Sequence, residues 1–302
     1  MEKKKKSLPH LRLGATSFLL HADYVPAVRF AAEYCDDVAL LLVETGMHGE
    51  FLPDAEAVRE MRRILDGEGA TLHVHLPTDS DFDTPRRARR LVEHVRRAVD
   101  CAAPLDPHSF VLHVDFPTLH GTGNAPGAEQ QAWTAEALGD IAALLPAPEQ
   151  LAIENLEDFS PHFWDGWLVG TPFSRCLDIG HIWKDGGDPV PLLADWLESV
   201  RVIHLHGLEP RRQEIATGRE RNVRREAGWG EGCEENRRFG LRPRDHVSLR
   251  LMPPELVDAV MHPLWTAGFA GVLNLEVFSF EDFTESHAVL LRAWERFREG
   301  EE

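Results

Sequence analysis

Eight short apolar, β-branched runs recur along the chain, at 11–17, 38–44, 71–76, 110–114, 151–155, 175–179, 202–206 and 271–277. Near-continuous apolar runs of this length are what parallel strands look like when helices cover both faces of the sheet. Amphipathic stretches separate them, at 25–34, 53–65, 85–102, 128–145, 189–197, 254–267 and 283–297. Several open on helix-start residues: Asp54 and Glu56 follow Pro53, and Glu281 and Asp282 precede the last stretch. The fifth connection, 162–170, carries three aromatics and reads as short and irregular. Eight strand–helix units in 302 residues predict an α/β fold, a (β/α)8 TIM barrel filling 1–302 as a single domain. An open doubly wound sheet would carry a glycine-rich phosphate loop after its first strand. The one Gly-x-Gly near a strand end, Gly121 and Gly123, runs into Asn124, Ala125 and Pro126 and does not continue as GxGxxG.

Charge narrows the function classes. Fifty acidic residues against 32 basic ones leave a net charge of −18. A surface of that sign repels nucleic-acid backbones and anionic membranes, so neither is an expected partner. The longest clean apolar run, 38–43, is far too short to span a bilayer. Residues 1–10 start basic but are broken by Pro9 and His10, and they read as a solvated tail without a signal-peptide cleavage pattern. Four cysteines, Cys35, Cys101, Cys176 and Cys233, form no CxxC pair, which suits a reducing cytoplasm. One segment breaks the alternation: 211–244, between the seventh strand and its helix, holds ten arginines against six glutamates, a local charge of +4. A loop of that length in a compact domain is as a rule functional or disordered, and this one is expected to lie over the barrel mouth.

Sixteen histidines are the other anomaly. In a TIM barrel the carboxyl ends of the strands face the active-site mouth. Read in order, those ends supply His73 and His75, His113 and Asp115, Glu154 and Asn155, Asp178 with His181, His204 and His206, and Glu276; His246 follows the long loop. His73 and His75 share a strand face but differ in height by about 6.6 Å, so one ion does not take both. The same holds for His204 and His206. His75 is the expected ligand of the first pair. Imidazoles and carboxylates converging on one mouth are costly to desolvate without a compensating cation. The donor set lacks a convergent cysteine and suits Zn²⁺, Mn²⁺, Fe²⁺ or Co²⁺. It exceeds one tetrahedral site, so a cluster of two or three ions is expected, with Glu154 or Asp178 bridging. Such clusters support hydrolysis at phosphorus.

The ordered motifs carry a resemblance. HxP after the third strand, LH after the fourth, xEN after the fifth, DxxH after the sixth, HL after the seventh and LE after the eighth resemble the xylose-isomerase-like barrels, and within them the endonuclease IV branch, AP endonuclease family 2. The resemblance implies that His75, His113, Glu154, Asp178, His204 and Glu276 are metal ligands, and it selects His204 over His206. It implies further that His181 and His246 serve a third metal position. That branch spaces its late pair as Asp-x-His, whereas Asp245 and His246 are adjacent here. Asp245 is therefore expected to orient a ligand histidine or to contact substrate, and the third ion is set in question.

A closer resemblance spans nearly the whole chain. LGATSFLLHADYVPAVRFAAEYCDDVALLLVE, VHLPTD, ENLEDF, CLDIGHIW, RVIHLHG, DHVSL and GVLNLEVFSFEDF are similar to the cobamide-remodelling phosphodiesterases. That resemblance implies metal-dependent cleavage of a phosphoester in the nucleotide loop of a cobamide, giving cobinamide phosphate and α-ribazole. Glu154, Glu276 and His181 are then the expected catalytic contacts, and Arg244, Asn155 and Asp245 the expected substrate contacts. The competing function is a sugar isomerase or epimerase of the same superfamily, which would use Glu154, Asp178, His204 and Glu276 on one ion. His75, His113 and His246 separate the two, because one-ion epimerisation has no need of them. An abasic-site endonuclease needs a basic face for bent duplex, which the net charge opposes. A non-enzymatic cofactor binder has no use for so complete a ligand set.

Overall fold

The computed structural model describes residues 7–46, 48–209 and 243–301. Ten strands occur among them: β1 (Arg12–Thr16), β2 (Asp37–Leu41), β3 (Thr71–His75), β4 (Phe110–His113), β5 (Leu151–Glu154), β6 (Ser174–Asp178), β7 (Val200–Leu205), β8 (Gly207–Glu209), β9 (Arg244–Val247) and β10 (Val272–Leu275). Eight close into a barrel in the order β1-β10-β7-β6-β5-β4-β3-β2, every pairing parallel. The expected (β/α)8 barrel is the fold. The remaining two, β8 and β9, form an antiparallel ribbon beside the mouth.

The helices are α1 (Tyr24–Ala32), α2 (Ala55–Glu68), α3 (Pro85–Ala102), α4 (Ala128–Ala142), α5 (Asp165–Leu168), α6 (Ile179–Lys184), α7 (Val190–Trp196), α8 (Pro254–Ala267) and α9 (Phe280–Glu301). Local chemistry sets their ends. The Asp54 carboxylate accepts from the Glu56 and Ala57 amides to start α2, and Gly69, at φ +63°, stops it. Thr84 caps α3 with Pro85 in its first turn. The irregular fifth connection is a 3-10 turn, Pro161–Trp164, running into the single turn of α5. No helix among the described residues is long and apolar enough to cross a membrane.

Side chains inside the barrel are layered. Val111, Ala152, Cys176 and Val202 form a small, fully buried apolar layer. One pleat further along the same strands stand His113, Glu154, Asp178 and His204, in register as His113↔Glu154 and Asp178↔His204. The apolar layer closes the floor, and the polar layer faces the mouth.

One sequence expectation changes. Residues 7–10, read as part of a solvated tail, are seated on the barrel: Leu8 is buried, Trp265 Nε1 donates to the Pro9 carbonyl at 3.0 Å, and His287 Nε2 to that of Ser7 at 3.0 Å. Of the arginine-rich insertion, 211–242 lies outside the described residues.

At the end opposite the mouth, Asp37 is a fully buried carboxylate at the start of β2. It accepts from Thr71 Oγ1 at 2.5 Å, His73 Nδ1 at 2.5 Å and His108 Nε2 at 2.9 Å, with Arg12 3.6 Å away. Burial alone would raise its pKa, and the charge and hydrogen bonds of His73 and His108 hold it well below the usual carboxylate range instead. Removing one partner of such a cluster strands the others without a counter-charge. Asp37→Ala should therefore cost about 3–5 kcal/mol in urea denaturation, and a loss under about 1 kcal/mol would show that the cluster is merely surface-like.

Candidate metal centre

Glu154 closes β5 and is 1% exposed. Its Oε2 lies 3.0 Å from His113 Nε2 and 3.4 Å from His75 Nε2. Its Oε1 lies 3.0 Å from His204 Nδ1. That nitrogen is also 3.2 Å from Glu276 Oε2 and 3.8 Å from Asp178 Oδ2. Glu154 thus belongs to more than one donor set at once, among them His75, His113 and Glu154, and Glu154, Asp178, His204 and Glu276. A third set, His181, His206 and His246, adjoins them through Asp178, whose Oδ1 is 3.5 Å from His206 Nε2. In each set the donor atoms lie within 4.8 Å of one another.

Backbone carbonyls fix the ring orientations. His75 Nδ1 donates to the Leu76 carbonyl at 3.1 Å, His181 Nδ1 to that of Asn155 at 2.9 Å, and His246 Nδ1 to that of Glu276 at 3.0 Å. With Nδ1 protonated, Nε2 carries the free lone pair, which is how metal-binding imidazoles are held. His206 has two options at Nδ1, accepting from the His246 amide at 3.1 Å or donating to the Gly207 carbonyl at 3.3 Å. Only the second leaves Nε2 able to ligate. Gly180 lets this ring lie against α6, because a Cβ there would stand 2.1 Å from His206 Cε1. His246 itself sits at φ +52°, a left-handed conformation costing of order 1 kcal/mol or more for a non-glycine residue. Its ring stacks on Phe278, centroids 4.8 Å apart.

The donors fit divalent cations. Asp178 Oδ2, His204 Nε2 and His206 Nε2 are buried and lack hydrogen-bond partners among the described residues. Burial alone would raise Glu154 and Glu276, yet His204 and its neighbours hold both well below the usual glutamate range. Burial would lower His204 and His113, and their neighbours raise them instead: contact with Cys176 and the carboxylates of Glu276 and Glu154 for His204, and Glu154 and Glu276 for His113. Protons on imidazoles thus occupy the electrostatic role that ions would fill, and binding of an ion releases them.

The structure brings the residues expected as ligands together in these donor sets: His75, His113, Glu154, Asp178, His204, His246 and Glu276, with His181 among them. The expected substrate contacts each have protein partners. The Asn155 amide is spent on the backbone of residue 178, donating from Nδ2 to the Asp178 carbonyl at 2.8 Å and accepting at Oδ1 from its amide at 2.9 Å. It holds the end of β6. Asp245 is ion-paired to Lys184, not to a histidine ligand. Arg244, 62% exposed, lies 3.5 Å from Glu209 across the β8–β9 ribbon.

Three residues were missed. His206, set aside in favour of His204, completes the third set. Glu157 reaches His181 Nε2 at 3.2 Å and Lys184 Nζ at 2.9 Å; burial opposes its ionisation, but His181 and Lys184 bring it down to about 2. Its signal was the second acid of ENLEDF, three residues beyond Glu154. Cys176 corrects the expectation of no convergent cysteine, because it groups with Glu154 and His204. Burial pushes its thiol far up, so it stays protonated in the absence of an ion.

The electrostatics predict a pH dependence. Burial alone would lower His181, but Asp178, Glu157 and Glu154 outweigh it and push it up to about 9. Its rise above an unfolded value near 6.5 corresponds to about 3 kcal/mol. A raised folded pKa stabilises fully below the unfolded value, and the gain disappears as pH climbs through the folded one. The melting temperature of the metal-free protein should fall between pH 6.5 and about 9.5, and His181→Asn should flatten that decline. An equal decline in the variant would remove His181 as its source.

The family model for xylose isomerase-like TIM barrels matches residues 28–239. No curated protein matches the chain. Among solved structures, a D-tagatose 3-epimerase-like protein superposes with a TM-score of 0.69 at 17% identity, covering 97% of this chain and 100% of its own. An L-ribulose 3-epimerase gives 0.65 at 15% identity, covering 96% of each. A xylose isomerase-like TIM barrel protein from Mycobacterium smegmatis in complex with magnesium gives 0.57 at 12% identity, covering 94% of this chain and 97% of its own. At these identities the likeness is one of fold. With the family match across most of its length and a closed eight-stranded parallel barrel, the chain belongs to the xylose isomerase-like TIM barrel family.

Proposed function

We propose that this protein is a metal-dependent phosphodiesterase acting on the nucleotide loop of a cobamide. The observation that carries the phosphodiesterase reading is the sharing of Glu154 between the His75–His113 set and the Asp178–His204–Glu276 set, with a three-histidine set alongside. One-ion chemistry has no use for the first and third sets. Divalent ions there would supply Lewis acidity, making water nucleophilic at neutral pH and offsetting charge on phosphoryl oxygens. Glu154 would join two of the ions, and Asp178 and Glu276 would complete the four-donor set. His113 and His246, the more exposed ligands at 25% and 21%, face incoming substrate. Without cations the carboxylates would repel a phosphodiester, so anion binding and metal loading go together. The choice of a cobamide rests on the motifs from VHLPTD to GVLNLEVFSFEDF.

A second reading has its own support. Glu154, Asp178, His204 and Glu276 form a complete four-donor set by themselves, and the structural neighbours include proteins named as epimerases. In that reading the chain holds one ion, and Glu154 and Glu276 flank a sugar.

The two separate cleanly. Metal-reconstituted protein should hydrolyse adenosylcobalamin with one water to adenosylcobinamide phosphate and α-ribazole, resolved by mass. His113→Ala and His246→Ala should each reduce turnover by at least about 100-fold. Intact substrate under Mn²⁺, Zn²⁺, Fe²⁺ and Co²⁺ contradicts the proposal. Ketose epimerisation that survives both substitutions would favour the second reading.

A further inference from the structure

Lys184, the last residue of α6, is 10% exposed although its side chain ends in a charge. Its ammonium donates to Glu157 Oε1 at 2.9 Å and to Asp245 Oδ2. The two acceptors sit on different parts of the mouth. Glu157 lies in the loop after β5 and touches His181 Nε2. Asp245 lies on β9, next to His246. Lys184 itself shares α6 with His181, so one buried cation ties together the segments that present two of the three histidines.

Those segments are otherwise lightly joined. β9 is paired only to the three-residue β8 among the described strands. His246 reaches the site from a left-handed backbone, held by its Nδ1 on the Glu276 carbonyl. Asp245, its neighbour, is turned to the ammonium and is absent from every donor set.

We infer that Lys184 is a positioning residue that assembles the three-histidine ion site, by holding Asp245 on β9 and Glu157 beyond β5 to the helix carrying His181. This rests on the reading of His181, His206 and His246 as ligands. Without the ammonium, Glu157 and Asp245 become partly buried anions with no common counter-ion. Two such charges repel, so β9 and its His246 move away from α6. The site then loses its third imidazole, while the two Glu154 sets, which Lys184 does not touch, keep theirs.

Zinc titration of the metal-free full chain tests this, with stoichiometry and stepwise affinities compared for wild type, Lys184→Met, Lys184→Arg, Asp245→Asn and His246→Ala. Near-UV circular dichroism confirms folding. His246→Ala should remove one zinc and thereby identify the third site. Lys184→Met should weaken that same zinc by at least about tenfold and leave the others unchanged. Lys184→Arg, which keeps both ion pairs, should restore most of the affinity. Asp245→Asn, a milder change should Lys184→Met not fold, should weaken the third zinc by about threefold. Wild-type affinity at the third site in both Lys184→Met and Asp245→Asn overturns the inference and leaves the ligand reading standing. Tighter binding in Lys184→Met also overturns it, because a freed Asp245 would then be acting as a ligand. If His246→Ala loses no zinc, the ligand reading itself fails and the inference falls with it.

Discussion

Glu154 is the residue on which the rest of the mouth depends. Its two oxygens serve two different groups of imidazoles, and it is buried with Glu276 and Asp178 close by. Two carboxylates about 4 Å apart repel by about 4 kcal/mol at an effective dielectric of about 20. Hydrophobic burial elsewhere would have to carry that cost unless cations offset it. The site meets the constraint with imidazoles, whose raised affinity for protons reports the same negative potential that would attract divalent ions. Carboxylates placed this way give poor stability and good metal affinity, and the tightly packed barrel around them supplies the stability instead.

The barrel makes that placement possible. Parallel strands in register put His113 beside Glu154 and Asp178 beside His204 without any loop having to order. Beneath them the Val111, Ala152, Cys176 and Val202 layer closes the floor. Above, carbonyls at the strand ends hold His75, His181 and His246 with Nε2 presented. The two glutamates and four imidazoles on strand ends are rigid, whereas His246 arrives on a short ribbon. Precision is therefore built into the two Glu154 sets and has to be supplied by side-chain contacts at the third.

Much of this was legible in the chain. A strand buried on both faces must be apolar until it reaches the mouth, so a histidine or acid at the end of such a run is conspicuous, as with His75, Glu154 and Glu276. Helix caps such as Asp54 and Thr84 are local and were equally readable. What escaped depends on contacts between distant segments. The β8–β9 ribbon pairs Gly207 with Val247 across the long insertion, and three- and four-residue strands leave no periodic trace. One ion does not take both members of a pair a pleat apart, and the resemblance selected His204; that same offset gives His206 to a neighbouring set. Cys176 was hidden inside an apolar run, where a thiol reads as core. Asn155 follows Glu154 at a strand end, and nothing local announces that both its amide atoms bond to the backbone of Asp178. Lys184 reads as an ordinary helix-end cation, and only the fold brings Glu157 and Asp245 to it.

The account stands on three adjoining ion sites joined through Glu154 and Asp178. Anomalous diffraction at the zinc edge, from crystals grown with zinc, tests that most directly. Three peaks are predicted: one among His75, His113 and Glu154, one among Glu154, Asp178, His204 and Glu276, and one among His181, His206 and His246. A single peak in the four-residue set, with the other histidines bonded only to protein, would contradict it.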